Sequence, residues 1–190
     1  MDTHVLYQVL AATVQTDLAT RKQGEAALKE YSSQPGFLSS LLQIASVVES
    51  DPAIKQAGAI YFKNKVTRSW DPSSDSCVQA DDKSWVKQHI VSAISSSTPL
   101  VRAQLLTAIA TIFEFEFRFG LPRTSTIVKG MLALDQQHII NSGLLVFLEL
   151  VKTFQWVSAD ARAPLHPVIA DILPILLRSR PTLKHISHPT

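Results

Sequence analysis

Four helix starts recur along this sequence, and their spacing is the feature that most limits its possible folds. A short polar side chain, which can accept hydrogen bonds from the free N–H groups of a first helical turn, precedes each periodic segment. These residues are Asp17, Asp51, Thr98 and Asp135, and they lie 34, 47 and 37 residues apart. Proline follows Asp51 and Thr98, at the first helical position, where its missing N–H costs nothing. The pattern predicts a chain built from repeated helices.

Shorter amphipathic segments lie beside these longer ones, so the unit that repeats is a helical hairpin. We expect the shorter helices within residues 3–14, 36–49, 82–95, 122–133 and 162–178. A repeat of about 40 residues with two helices is typical of HEAT repeats. The longest interval is explained by a polar loop, DPSSDSCVQA at residues 71–80. Each hairpin buries its apolar face only by stacking on the next one. We therefore predict an all-α protein, a right-handed α-solenoid of HEAT-type helical hairpin repeats, in preference to a compact helical bundle.

The spacing also predicts the boundaries of the repeats. We expect about four and a half repeats within residues 1–180, at residues 2–32, 35–70, 81–116, 121–155 and 160–178, and a disordered tail at residues 181–190. One segment is ambiguous, because FEFEFRFGLPRTST (residues 113–126) begins with alternating phenylalanine and charge, a pattern that alone indicates a strand. We interpret it as the end of helix 99–115 running into a turn.

Composition excludes several classes of protein. Apolar residues make up 46% of the chain and charged residues 18%, which is globular composition. The net charge of +2 comes without a run of Lys or Arg that could follow a phosphate backbone, so no nucleic-acid partner is expected. No apolar run approaches the roughly 20 residues of a membrane span, so no membrane partner is expected either. With Cys77 alone, an internal disulfide is impossible. A soluble intracellular protein is the expectation.

Catalytic and metal-binding patterns are missing from the sequence. It contains no GxxxxGK[ST], GxGxxG, GxSxG or HExxH motif, and its acids and histidines are scattered. His185 and His188 have HxxH spacing, but no cysteine and no third ligand lies nearby, so we predict no metal site. We predict a binding protein without a cofactor. An enzyme with an unrecognised site is the remote alternative.

In a ladder of helical hairpins the second helices line the concave wall, and their polar faces are therefore the candidate binding surfaces. At 100° per residue, helix 51–70 brings Gln56, Lys63 and Thr67 together with Ala59 alongside, opposite a packing side of Ile54, Ala57, Gly58 and Tyr61. Helix 99–115 groups Ala103, Gln104, Thr107, Thr111 and Glu114 on one face, opposite Val101, Leu105, Ala108, Ile112 and Phe115. Each helix is expected to present a narrow, mostly uncharged polar stripe.

The second-repeat motif resembles a known family. Residues 18–70, and in particular KQAGAIYFKNKVTRSW at their end, resemble the N-terminal domain of importin-β superfamily nuclear transport receptors (karyopherins). The segments PLVRAQLLTAIATI and LLVFLELVKTFQW resemble that family's third and fourth repeats. The resemblance covers most of residues 5–177, and it is greatest to the importin-7 and importin-8 type.

The resemblance implies binding of the small GTPase Ran in its GTP form by the inner helices, which controls the release of import cargo in the nucleus. The implied contact residues are Gln56, Ala59, Lys63, Asn64 and Thr67 in the second repeat and Arg102, Gln104, Thr107 and Thr111 in the third. It also implies shuttling between cytoplasm and nucleus, with cargo proteins and nucleoporins as further partners, mainly through repeats beyond those in this chain. A HEAT-repeat scaffold that does not bind Ran is the alternative.

The sequence departs from the family in two places and leaves one residue undecided. Residues 113–126 lack the family's acid–proline–tryptophan segment, and residues 179–190 do not continue a fifth repeat, so a fragment or an imperfect gene model is expected. Asn64 lies about 100° from Lys63, towards the packing side, so a structural hydrogen bond and a Ran contact both remain open. Gly58 and Gly143 are expected to allow close helix approach, and Trp70 to be a packing residue.

Overall fold

The computed structural model describes residues 1–46, 51–116, 128–132, 136–163 and 165–178, and every regular element among them is an α-helix. Residues 128–132 are helical and are labelled α7. The other helices are α1 (Thr3–Thr13), α2 (Leu18–Tyr31), α3 (Phe37–Ser46), α4 (Pro52–Ser69), α5 (Ala80–Ser96), α6 (Pro99–Glu116), α8 (Gln137–Phe154), α9 (Ala159–Arg162) and α10 (Leu165–Arg178). The predicted all-α class is confirmed. None of the described helices is long and apolar enough to cross a membrane.

The predicted helix starts agree with the observed ones where the structure describes them. The Asp17 carboxylate accepts hydrogen bonds from the Thr20 hydroxyl (2.7 Å) and the Thr20 N–H (2.8 Å), and these bonds lower the pKa of Asp17. Asp51 accepts from the N–H of Ala53 at 2.7 Å, with Pro52 as the first helical residue. Helix α6 begins at Pro99, as predicted. Asp135 lies outside the described residues, and the N-cap residue of α8 is Gln136.

Two expected segments differ in detail from the observed helices. The segment predicted at 162–178 is the helix α10, Leu165–Arg178, and the one-turn helix α9 precedes it with Ser158 as its N-cap. The Phe-rich segment is helical through Glu116, which confirms the helical interpretation of residues 113–116. The rest of that segment, and the tail from residue 179 onward, lie outside the described residues. The repeat boundaries stay a prediction.

The chain divides into two compact units, Met1–Phe115 and Glu116–Thr190. In the first unit α3 packs against α1, α4 and α5, and it is therefore buried on nearly every side, through Phe37, Leu38, Ser40, Leu41, Leu42, Ile44 and Ala45. The second unit has its own apolar core, formed by Val128, Met131, Leu132, Ile140, Val146, Leu150, Phe154, Leu165, Val168 and Ile172.

A buried carboxylate ties the N-terminus of α3 to α5. Asp82, in the first turn of α5, is only 7% exposed. Its carboxylate accepts hydrogen bonds from the N–H of Gly36 (3.0 Å), the N–H of Ser39 (3.3 Å) and the hydroxyl of Ser39. The first N–H groups of a helix have no partner within the helix, and a negative charge there is favourable. Asp82 therefore caps a helix that belongs to the preceding hairpin.

Replacing Asp82 tests this cap. We expect Asp82→Ala to lower the free energy of unfolding by about 2 kcal/mol, because buried N–H groups lose a charged acceptor. The measurement is urea denaturation followed by circular dichroism. Asp81→Ala is the matched control, since Asp81 is exposed in the same helical turn and should change stability by under about 0.5 kcal/mol. Equal effects at the two positions would show that the cap contributes nothing.

Close helix approach occurs at Gly24 and Gly143 but not at Gly58. A Cβ atom added at Gly58 would lie 3.6 Å from Leu10, Leu41 and Ile44, an ordinary contact distance, so the expectation of close approach there is wrong. At Gly143 the added atom would be 3.1 Å from the Cβ of Met131, which agrees with the expectation. Among the glycines that the structure describes, the closest approach is at Gly24, where the added atom would lie 3.0 Å from atoms of Ala12 and Thr13, including the Thr13 backbone nitrogen.

Alanine substitutions separate the two kinds of glycine. Gly24→Ala should lower the free energy of unfolding by roughly 1–3 kcal/mol, because α1 must move away from α2. Gly58→Ala should be neutral or stabilising by up to about 1 kcal/mol, since alanine has the higher helix propensity and the methyl group fits. Thermal melting of the two variants in parallel provides the measurement. A larger loss at Gly58 than at Gly24 would contradict the observed packing.

Candidate functional site

Three of the predicted residues form a polar stripe along α4. Gln56 and Lys63 are half-buried and Thr67 is exposed, and their spacing places them on one side of the helix. We call these three residues the α4 stripe. Ala59 is not part of it, because its side chain is 0% exposed and packs in the core with Phe62. The expectation that Ala59 lies on the polar face is wrong, since its position at the edge of the stripe turns it towards neighbouring helices.

The predicted face of α6 is also open to solvent in part. Thr107 is exposed, whereas Gln104 and Thr111 are half-buried. Both threonine hydroxyls donate to the carbonyl four residues earlier in the helix, at 3.0 Å from Thr107 and 3.4 Å from Thr111. We call Gln104, Thr107 and Thr111 the α6 stripe. At the N-terminal end of the helix, Leu100 is 64% exposed.

Arg102 has a structural role that its sequence position does not reveal. Its Nε donates to the carbonyl of Ile94 at 3.2 Å and its Nη2 to the carbonyl of Ser97 at 2.7 Å. These carbonyls are at the C-terminal end of α5, where the last groups of a helix lack partners within the helix. The guanidinium therefore holds α5 to the start of α6.

Asn64 belongs to a different side of α4 from Lys63. It lines a groove of about 300 Å³ between α2 and α4, which we call the α2–α4 groove. On α4 the groove is lined by Tyr61, Asn64, Lys65, Arg68 and Ser69, and on α2 by Glu25, Leu28, Lys29 and Ser32. Tyr61 is half-buried in this lining, where it faces residues of α2.

Burial changes the acid–base properties of two groove residues. Burial, and secondarily the negative charge of Glu25, raises the pKa of Tyr61, so the phenol stays protonated at neutral pH. Burial lowers the pKa of Lys65, and only the nearby Cys77 opposes this effect. The Lys65 ammonium donates to the carbonyl of Ser76 at a long 3.4 Å. The groove therefore contains a partly desolvated cation.

The loop after α4 is fixed by local bonds around Trp70. The Trp70 side chain is 1% exposed, in agreement with the predicted packing role. The Lys83 ammonium donates to the Trp70 carbonyl at 2.7 Å and lies 5.5 Å from the centre of the Trp70 ring. It also donates to the Cys77 sulfur at 3.3 Å. No three metal-ligating side chains cluster in the described part of the chain, and His185 and His188 lie outside it.

Removing the Arg102 guanidinium distinguishes its structural role from a contact role. We expect Arg102→Ala to lower the free energy of unfolding by about 1–3 kcal/mol, because two carbonyls at the end of α5 lose a charged donor. Gln104→Ala, on the same helix, should change it by less than about 0.5 kcal/mol. Chemical denaturation of both variants gives the comparison. Unchanged stability in Arg102→Ala would remove the structural assignment.

Comparisons with known proteins connect these features to transport receptors. Residues 24–96 match the family described as Importin-beta N-terminal domain. The chain is 30% identical over 193 residues to "Nonsense-mediated mRNA decay protein 5" of Saccharomyces cerevisiae, covering 93% of this chain and 18% of that protein. It is 28% identical over 182 residues to Importin-8 of Homo sapiens, covering 92% and 17%. The chain thus spans less than a fifth of these relatives.

Solved structures show the same fold. The exportin Cse1 in its cargo-free, cytoplasmic state superposes with a TM-score of 0.87 at 22% identity, covering 97% of this chain and 20% of Cse1. Importin beta superposes with a TM-score of 0.68 at 18% identity, covering 92% of this chain and 21% of that chain. These likenesses confirm the predicted HEAT-type α-solenoid.

Proposed function

Residues 24–96 of this chain are an importin-β N-terminal domain, and from this premise we propose that the chain binds Ran in its GTP form through the α4 and α6 stripes. The expected resemblance to importin-β superfamily receptors is confirmed by this match and by relatives that include Importin-8. The same relationships agree with the prediction that the chain is not an enzyme. Ran binding would control the release of cargo during import into the nucleus.

The exposure of the two stripes carries the proposal. Lys63 and Thr67 on α4, with Thr107 on α6, present polar groups that a folded partner can reach. Such mostly uncharged surfaces suit contact with a folded protein better than contact with a highly charged polymer. A structural relative supports the choice of partner, because binding of Kap95p induces the switch loops of RanGDP to adopt the GTP-bound conformation.

Six of the nine predicted contact residues remain candidates for contact with Ran. Gln56, Lys63, Thr67, Gln104, Thr107 and Thr111 are the contact residues that we retain. Ala59 is buried and cannot offer its side chain to a partner without a change in packing. Arg102 is engaged at the end of α5, and Asn64 lines the α2–α4 groove, so we assign neither to the primary contact.

The proposed mechanism is a coupling between two binding events. In such a receptor, binding of GTP-bound Ran weakens the binding of cargo, and cargo weakens the binding of Ran. The receptor therefore releases cargo where the GTP form of Ran is abundant. Shuttling through the nuclear pore and contacts with nucleoporins are part of the same proposal for the whole receptor. A structural relative, Kap95, has been solved as a complex with Nup1.

A pull-down with Ran locked in its GTP or its GDP form tests the proposal. We expect recovery of this chain with the GTP form and weak recovery with the GDP form. Equal recovery with both forms, or no recovery with either, would reject it. A scaffold that binds other proteins on the same stripes without Ran would then be favoured.

Charge reversal at Lys63 locates the contact on the α4 stripe. We expect Lys63→Glu to weaken binding of GTP-bound Ran by about tenfold, roughly 1.4 kcal/mol. Its melting temperature should be unchanged, because Lys63 is not part of the core. Arg68→Glu is the matched control, since it makes the same change of charge on another side of the same helix. Loss of fold in Lys63→Glu, or equal loss of Ran binding in both variants, would contradict the assignment.

A further inference from the structure

Three cations line the α2–α4 groove. Lys29 lies in the last turn of α2, Arg68 in the last turn of α4, and Lys65 is half-buried between them. The dipoles of the two helices favour cations in their last turns. That effect accounts for Lys29 and Arg68, but it gives no reason to desolvate Lys65 one turn earlier.

Among the described residues that line the groove, Glu25 is the one acid against three cations. Within the described residues no ion pair joins Lys29, Lys65 or Arg68 to a carboxylate. Glu25 lies at the Tyr61 end of the groove, where it raises the pKa of that phenol. A neighbouring pocket is lined by Asp75 and Asp82. The Asp82 carboxylate already accepts hydrogen bonds from the N-terminus of α3, and Asp75 is on the exposed loop. The groove is left with an excess of positive charge.

Two apolar side chains, Leu28 and Phe37, lie among the mostly polar residues of the groove lining. They are themselves 2% and 3% exposed, so they belong to a packed core that meets the groove. The Asn64 amide adds a donor and an acceptor, and the Tyr61 hydroxyl adds another donor. A groove of this kind suits an extended segment that carries carboxylates and one apolar side chain.

We propose that the α2–α4 groove binds an acidic linear segment of a partner protein, with its carboxylates against Lys29, Lys65 and Arg68 and an apolar side chain against Leu28 and Phe37. Charge complementarity selects this occupant. A carboxylate beside Lys65 would replace the hydration that burial removes, so binding would relieve a cost present in the free protein. The proposal is independent of Ran binding, because Asn64, Lys65 and Arg68 lie about 100–160° away from Lys63 around the same helix.

Fluorescence anisotropy with a labelled peptide tests the groove directly. The probe is a short peptide of alternating aspartate and glutamate with a central leucine, and the control peptide has lysine at each acidic position. We expect saturable binding of the acidic probe only, weakening several-fold as the salt concentration rises from about 50 to about 300 mM. Absence of saturable binding at low salt, or tighter binding of a labelled single-stranded RNA, would overturn the proposal.

Charge reversals on the two walls locate the binding. Arg68→Glu on α4 and Lys29→Glu on α2 should each weaken peptide binding by about tenfold. Both side chains are exposed, so the melting temperatures should not change. Lys63→Glu is the matched control and should leave peptide affinity unchanged. Equal peptide affinity in all three variants, or loss only in Lys63→Glu, would place the peptide elsewhere.

The same three variants separate this inference from the Ran proposal. Ran binding is expected to fall in Lys63→Glu and to persist in Arg68→Glu and Lys29→Glu, which is the reverse of the peptide result. If Ran fails to bind while the peptide binds with the expected pattern, only the proposed function is rejected. If Ran binds while the peptide does not, only the groove proposal is rejected.

Discussion

The packing of α3 is the constraint on which the first unit depends. This helix is in contact with α1, α4 and α5, so almost none of its surface is left for water. A helix buried in this way must have its first N–H groups satisfied by protein. Asp82 meets that need from the following hairpin and so links the two hairpins by hydrogen bonds as well as by apolar contact. Stacking and capping are therefore parts of one interaction between neighbouring repeats.

Helix α4 shows how one helix of a stacked repeat can serve three purposes. One side is core, with Phe62 and Val66 fully buried. A second side carries Lys63 and the rest of the α4 stripe, and a third carries Arg68 and the groove lining. Because 3.6 residues make a turn, adjacent residues such as Lys63 and Asn64 are divided between sides. A partner of the stripe and a partner of the groove can therefore be recognised by different residues of the same motif.

The candidate site was predicted less completely than the fold, for identifiable reasons. Helical periodicity places Gln56, Lys63 and Thr67 together, and the structure leaves Thr67 exposed and Gln56 and Lys63 half-buried. It misplaces Ala59, because this residue lies near the edge between two faces, where the neighbouring helix decides burial. Arg102 is among the predicted contact residues, since nothing in the sequence shows that its guanidinium reaches the carbonyls of Ile94 and Ser97. The same limit applies to glycine, because nothing in the sequence distinguishes Gly24, where the described helices approach most closely, from Gly58, where a methyl group would fit.

By itself the sequence determined where helices begin and which faces are apolar, because capping and periodicity depend on residues within one or two turns. It also carried the resemblance to importin-β superfamily receptors, through the motif that ends in KQAGAIYFKNKVTRSW, and residues 24–96 match that family's N-terminal domain. Only the tertiary structure decided that Asp82 caps α3, and that Lys29, Lys65 and Arg68 line one groove. These relations join residues of different helices, and their distances depend on how the hairpins stack, which a helical period does not specify.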